Sequence, residues 1–435
     1  MLISFSVSNF RSIKGKQTVE FSANEKYHSK GQPHLKNNIF ATKNKQVPNL
    51  LKSIALYGSN ASGKSNLVKS WFCFGTMILS TKRKRGKIIE KFDPFILEKK
   101  FQKPTIFEID FIASNSTRYL YEFAFDSSQI HYERLSSYKD GVDVLPKLIY
   151  EIGFKKNKLY HDFKDSFEGN KDKALDLFEN TQNNLFLPLN INEDGNKFLN
   201  PIYDWIQNYA EVIFDHKDQY FETMKWIDKD KKNKEKVVKL LQKFDLNIAD
   251  IEIEFEEIKL PKDIEEDPDF NDEMKKNMRI KKPVVTFINP NGTRLKTNKM
   301  SLGTLNLFSI SAPIFKILAD GGVLFFDEID CSLHPDILLE IVKMFHDKNI
   351  NQGNGQVLFT AHNDILLDKI YDKKLDKKIS LFRRDQIWFV SKDEKEQSSQ
   401  FYSLDQFNGV RDNDNISTRY RNHEFGARPF IGKDK

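Results

Sequence analysis

Gly58-Ser59-Asn60-Ala61-Ser62-Gly63-Lys64-Ser65 follows the pattern GxxxxGK[ST], whose backbone N–H groups turn inward around phosphates. Gly58 and Gly63 allow the tight path, and Asn60 and Ser62 lie within the turn. A helix opening near Asn66 adds its positive partial charge. In such a loop Lys64 neutralises the β/γ-phosphates of a nucleoside triphosphate, and the Ser65 hydroxyl ligates Mg²⁺. A second chemical group lies far downstream, where the apolar run Val323-Leu324-Phe325-Phe326 ends in Asp327-Glu328. Carboxylates at the carboxyl end of a parallel strand sit where open α/β sheets bind ligands. Asp327 is suited to hold Mg²⁺, directly or through water, and Glu328 to deprotonate an attacking water as general base.

Three weaker signals flank that pair. Met300-Ser301-Leu302-Gly303-Thr304 precedes an apolar helix, and an N-cap of this type is also an anion site. Gln356-Val357-Leu358-Phe359-Thr360-Ala361-His362 is an apolar strand ending in a histidine placed to sense a γ-phosphate. Between them, Ile329-Asp330-Cys331-Ser332-Leu333-His334-Pro335 is a turn, with Pro335 opening a helix. No ligand pattern surrounds His334 or Cys331, so neither receives a metal or redox role.

The elements around these residues are legible as periodicities. Ser53–Tyr57 is a short apolar strand before the loop, and the residues to Leu79 form a helix. From Thr105 to about Phe163 the period is two, which predicts antiparallel strands. From Lys171 to Phe244 it is helical, with Phe198, Ile202, Trp205, Tyr209 and Ile213 on one face and Val237, Leu241 and Phe244 on another. Leu185–Leu189 reads as a strand. Residues 259–282 are charged and read as a linker, and Lys82–Arg85 as a solvated basic loop. From Pro283 onward, apolar strands alternate with amphipathic helices, which predicts a parallel sheet covered by helices.

Composition sets the outer limits. The 435 residues are 39% hydrophobic and 30% charged, a globular balance. No stretch approaches the roughly 20 apolar residues of a membrane span, so no membrane partner is expected. The start, Met1 to Val7, alternates like a strand rather than a signal peptide. Two cysteines make no disulfide framework and fit a reducing cytoplasm. The net charge of +6 permits nucleic-acid contact without demonstrating it.

Taken in order, the phosphate loop, Ser-x-Gly, apolar-Asp-Glu, Ser-Leu-His-Pro and Thr-x-His motifs resemble the head domain of ABC-type ATPases. Asn9-Phe10-Arg11-Ser12-Ile13 is similar to the first strand region of the branch containing RecF, SMC and Rad50-like proteins, and the resemblance extends to OLD-type heads. Ser301–Thr304, Asp327–Pro335 and Arg384–Val390 look like bacterial anti-phage ATPases of the abortive-infection group, including the RloA type and the PARIS ATPase subunit. The resemblance implies an α/β, ABC-type ATPase head with an inserted mainly helical domain. The implied division is a first lobe at residues 1–165, the insertion at 166–282 and a second lobe at 283–435. It also implies ATP and Mg²⁺ as cofactors and homodimeric or higher assembly, with Ser301, Gly303 and Thr304 of one copy facing nucleotide at Lys64 of another. Arg11 and Asn66 join the nucleotide-binding set, His362 becomes the switch histidine, and Ser332 crosses the dimer interface. One element departs from the pattern. The lobe-coupling glutamine cannot be placed, and its expected position offers Asn190 and Asn192 instead.

Other functions fit less well. A transporter ATPase does not carry so long an insertion, and an SMC-like organiser needs sustained heptads between Ser65 and Ser301 that are not present. The segment after His362 shows no carboxylate cluster for a fused nuclease. The resemblance therefore implies an ATPase switch that senses infection, through a phage protein trigger, and controls a separate RloB-like or Toprim-type nuclease or toxin. A RecF-like repair ATPase and an ATP-stabilised scaffold are the alternatives.

Overall fold

The computed structural model describes the whole chain apart from residues 26–31, 81–88, 98–102, 140, 142–143, 156–157, 181–183, 192–198, 245–246, 258–280, 373–375, 412–413 and 429–435. The basic loop Lys82–Arg85, Asn192, Phe198 and most of the charged segment 259–282 therefore lie outside the described residues. Two compact units result: Met1–Phe214 with Lys316–Cys331 and Leu338–Lys435, and Asp215–Phe315 with Ser332–Ile337.

The first unit is built on two large sheets. Seven antiparallel strands run in the order Lys158–Phe163, Lys147–Lys155, Ile130–Ser137, Arg118–Phe125, Thr105–Ile112, Leu2–Ser8 and Gln17–Glu20. The two-residue period expected from Thr105 to Phe163 is thus realised as five of these strands. The other sheet has the order Ala210–Ile213, Val323–Phe326, Gln356–Ala361, Ser53–Gly58, Ile387–Lys392 and Ser399–Ser403. Its first five strands are parallel, and the last returns antiparallel. This is the mixed α/β architecture the motifs imply.

The helix Lys64–Leu79 packs between the sheets through its aromatic face. Trp71 lies 4.4 Å from Phe325 of the parallel sheet and 5.0 Å from Phe5 of the antiparallel one. Phe74 stacks on Phe123 at 5.8 Å. Aromatic pairs of this kind add about 0.5–1.5 kcal/mol each beyond area burial. The helix that carries the phosphate loop is therefore fixed by the core, and its first turn emerges at the carboxyl edge of the parallel sheet.

The structure differs from the sequence reading at several places. Ile213 does not continue a helical stripe, because the helix Asn200–Tyr209 stops and Ala210–Ile213 becomes a parallel strand beside Val323–Phe326. Leu185–Leu189 is not a strand. Phe186–Asn190 is a helical turn whose first N–H groups, those of Phe186 and Leu187, donate to the buried Glu133 carboxylate. Asn190 is spent inside that turn, donating to the Phe186 carbonyl at 2.9 Å. The helices Lys171–Asn180 and Asn200–Tyr209, read as part of an insertion, fall in the first unit.

The second unit contains the paired helices Tyr220–Lys229 and Lys231–Lys243 and a three-stranded sheet of Asp250–Glu257, Lys281–Ile288 and Arg294–Lys296. Those strands are antiparallel, so the parallel pattern expected from Pro283 begins only at Val323. The helix Leu302–Asp320 also corrects an expectation. By length and apolarity it could cross a membrane, but it is mostly buried, with Leu307, Phe308, Ile310 and Ile314 in the core. Its internal Pro313 removes the donor that would reach the Ser309 carbonyl. Thr223 replaces it, its hydroxyl donating to Ser309 at 2.6 Å and accepting from Ala312 N–H at 3.3 Å.

Candidate functional site: a phosphate loop facing two carboxylates

Ser53–Gly58 delivers the chain to the loop with every residue buried. Gly63 then takes the left-handed conformation, with φ of 112°, that lets the helix start at Lys64. A Cβ at Gly63 would lie 2.0 Å from Ser399 Oγ and 2.7 Å from Ser12 Oγ. One at Gly58 would lie 2.5 Å from the Val390 carbonyl. Ser12, from the Asn9–Ile13 turn, accepts from Asn66 Nδ2 at 2.7 Å and meets Ser399 Oγ at 2.6 Å. Ser399 donates in turn to the Ser62 carbonyl. Two distant segments thus clasp the loop from behind, while Asn60 and Ala61 at its tip are exposed.

Lys64 is 4% exposed, and its Nζ donates to the carbonyls of Gly58 at 2.8 Å and Ser59 at 3.1 Å. Burial lowers its pKa, while Asp327, Glu328 and Asp330 oppose that shift. The lysine therefore stands in the field of the carboxylates at the end of Val323–Phe326. Asp327 is buried, and its N–H donates to the Ile213 carbonyl at 2.8 Å. Glu328 has φ of 51°, and its half-exposed carboxylate lies 3.4 Å from His362 Nε2. Asp330 fixes the histidine from the other side, accepting from the N–H groups of His362 at 2.9 Å and Asn363 at 2.7 Å.

Ser65, Asp327, Glu328 and Arg11 open on one cavity of about 600 Å³, together with Lys69 and Phe72. Arg11 is held there by Asp93, with Nε 2.6 Å from the carboxylate and its N–H on the Asp93 carbonyl. The donor set fits a triphosphate with Mg²⁺. The segments behind the loop leave no room for side chains at Gly58 and Gly63, and the Ser62 hydroxyl is buried without a partner. A buried cation sits among acids. Among the described residues no group of three His, Cys, Asp or Glu could hold a metal by itself. Mg²⁺ would lean on Ser65, Asp327 and phosphate oxygens, as this hard ion commonly does.

The remaining expected residues lie in the second unit. Ser301 caps the helix Leu302–Asp320, its Oγ accepting from Thr304 N–H at 3.2 Å and meeting Thr304 Oγ1 at 2.7 Å. A Cβ on Gly303 would lie 3.0 Å from the carbonyl of Ser332, whose φ is 58°. The four residues Ser301, Gly303, Thr304 and Ser332 are thus one local cluster.

Sequence reasoning gave no role to Thr360, Asp330, Ser12 or Ser399, although it quoted the motifs containing the first three. The sheet order supplies the missing signal for Thr360, whose strand lies between those ending in Gly58 and Phe326. Ser399 carries no local signal at all.

A parallel sheet with a phosphate loop on one strand and paired carboxylates two strands away defines a nucleotide-binding protein of the P-loop class. A family model described as "AAA domain, putative AbiEii toxin, Type IV TA system" matches residues 53–368, and the chain belongs to that family. No curated protein matches the chain. Solved structures similar to it include an Smc head bound to the C-winged helix domain of ScpA, with a TM-score of 0.40 and 14% identity over 92% of this chain and 97% of that chain. A second is an Smc head with an extended coiled coil bound to the C-terminal domain of ScpA from Pyrococcus furiosus, with a TM-score of 0.39 and 13% identity over 97% and 98%. A third is the recombination mediator RecF with ATP, with a TM-score of 0.34 and 12% identity over 83% and 92%.

Proposed function

We propose that this chain hydrolyses ATP with Mg²⁺ in sites shared between two copies, and that its nucleotide state controls a separate effector in defence against phage. The observation that carries the ATPase reading is the convergence of Ser65, Asp327 and Glu328 on one cavity, with Lys64 in their field. Lys64 and the loop N–H groups bind the triphosphate, and Mg²⁺ supplies charge neutralisation at its oxygens. Glu328 takes the proton of a water attacking the γ-phosphorus, the bond to the bridging oxygen breaks, and ADP leaves. His362, held by Asp330, stands beside Glu328 to register the γ-phosphate. The cap at Ser301 is an anion site of the kind a second copy's nucleotide requires. The defence role rests on the motif resemblance and on a family description that names a toxin system.

The test is a pair of substitutions. Lys64→Ala abolishes binding of a fluorescent ATP analogue. Glu328→Gln keeps binding but lowers turnover by about 10²–10⁴. A Glu328→Gln protein that hydrolyses ATP at the wild-type rate removes the general base from the reading.

A further inference from the structure

Between the phosphate-loop strand and the carboxylate strand runs Gln356–Ala361, and its Thr360 is fully buried. The Thr360 hydroxyl donates to Asp327 Oδ1 at 2.7 Å and accepts from the Glu328 N–H at 2.7 Å. The Thr360 carbonyl accepts from Ile329 N–H at 3.1 Å. One residue thus contacts three consecutive positions across the strand gap. Glu328 needs this support, because a non-glycine residue in the left-handed region is strained and persists only where surrounding contacts impose it. Its φ of 51° turns the side chain out of the sheet, toward His362. On Asp327 the hydroxyl occupies one carboxylate oxygen and leaves the other for metal.

Resting on the ATPase reading above, we propose that Thr360 is a positioning residue that aims both carboxylates: Asp327 at Mg²⁺ and Glu328 at the attacking water. A single hydroxyl does both because it is donor and acceptor at once. A methyl in its place leaves the Glu328 N–H and one Asp327 oxygen without their partner, while the volume of the site is unchanged. Serine keeps the hydroxyl. The two substitutions therefore separate aim from packing.

The experiment uses the full chain with Thr360→Val and Thr360→Ser, beside wild type and Lys64→Ala. Supporting-group substitutions around metal sites cost about 10–100-fold in metal affinity or activity. Thr360→Val should lower kcat by that factor with KM for ATP changed less than about threefold, and should raise by a similar factor the Mg²⁺ concentration that half-saturates binding of a fluorescent ATP analogue. Thr360→Ser should restore both. In the Glu328→Gln background at saturating Mg²⁺, Thr360→Val should cost no further turnover, because the base it aims is already gone, while the raised Mg²⁺ requirement, which comes through Asp327, should persist. Wild-type kcat and wild-type Mg²⁺ dependence in Thr360→Val overturn the proposal. So does a loss that Thr360→Ser fails to restore, since that marks a packing role. Should the wild-type chain bind nucleotide without hydrolysing it, the ATPase reading fails. The Mg²⁺ titration then still decides whether Thr360 aims Asp327.

Discussion

Glu133 carries a fully buried carboxyl group. The Tyr121 and Tyr150 hydroxyls donate to one of its oxygens at 2.9 and 2.7 Å, and the Phe186 and Leu187 N–H groups complete its shell. Burial nonetheless pushes its pKa up, from 4.5 to about 7, against those four donors. In the window between the two values the folded protein holds a proton that the unfolded chain has lost. Unfolding then releases a proton, so stability falls as pH rises from 4.5 to about 7. The full shift corresponds to on the order of 3 kcal/mol. Urea denaturation of Glu133→Gln across that range should show a flatter dependence on pH than wild type, whatever the offset between the two proteins. Parallel curves would mean that Glu133 titrates alike folded and unfolded.

Elements show where local sequence is sufficient and where it is not. The helix Leu302–Asp320 runs on through Pro313, and Thr223, on another helix, satisfies the Ser309 carbonyl that the proline leaves without a donor. Thr223→Val should leave that carbonyl unpaired and cost about 1–3 kcal/mol, read as a lower denaturation midpoint with an unchanged m-value. A midpoint equal to wild type would show that the proline break needs no support. The phosphate-loop strand and helix were legible because their signals are local: an apolar run, two glycines and an aromatic stripe. The same holds for Val323–Glu328 and for the strand ending before His362. Ala210–Ile213 was not legible, because four residues give no period and only pairing with Val323–Phe326 makes them a strand. Leu185–Leu189 misled for a related reason. Its apolarity suits a strand, but a carboxylate distant in sequence caps it as a helical turn. Glu133, Ser12, Ser399 and Thr360 act across long chain separations, which no local pattern encodes.

At the scale of the whole molecule, the cluster of Ser301, Gly303, Thr304 and Ser332 has its use in a second copy under the proposed function. Ser301→Arg should stop turnover while its own phosphate loop still binds nucleotide, and Lys64→Ala should stop turnover by losing nucleotide. Mixed under conditions of verified subunit exchange, the two inactive proteins should recover part of the ATPase activity, because one site per mixed dimer pairs intact Lys64 with intact Ser301. No recovery would rule out shared sites. The defence role demands a test on cells. Under the roles proposed for Lys64, Glu328 and His362 the chain changes state with ATP, and a ligand that binds two states unequally shifts the balance between them. Toxicity would then come from a partner released or restrained by that state. Phage should be plated on cells carrying this gene, its neighbouring gene, or both, each with wild-type or Lys64→Ala protein. Protection should require both genes and an intact Lys64, and this gene alone should leave uninfected growth unchanged. Growth arrest from this gene alone would make the chain itself the toxin, in line with its family's description. Equal plating in all strains, with DNA-damage sensitivity on deletion, would replace the defence role with repair.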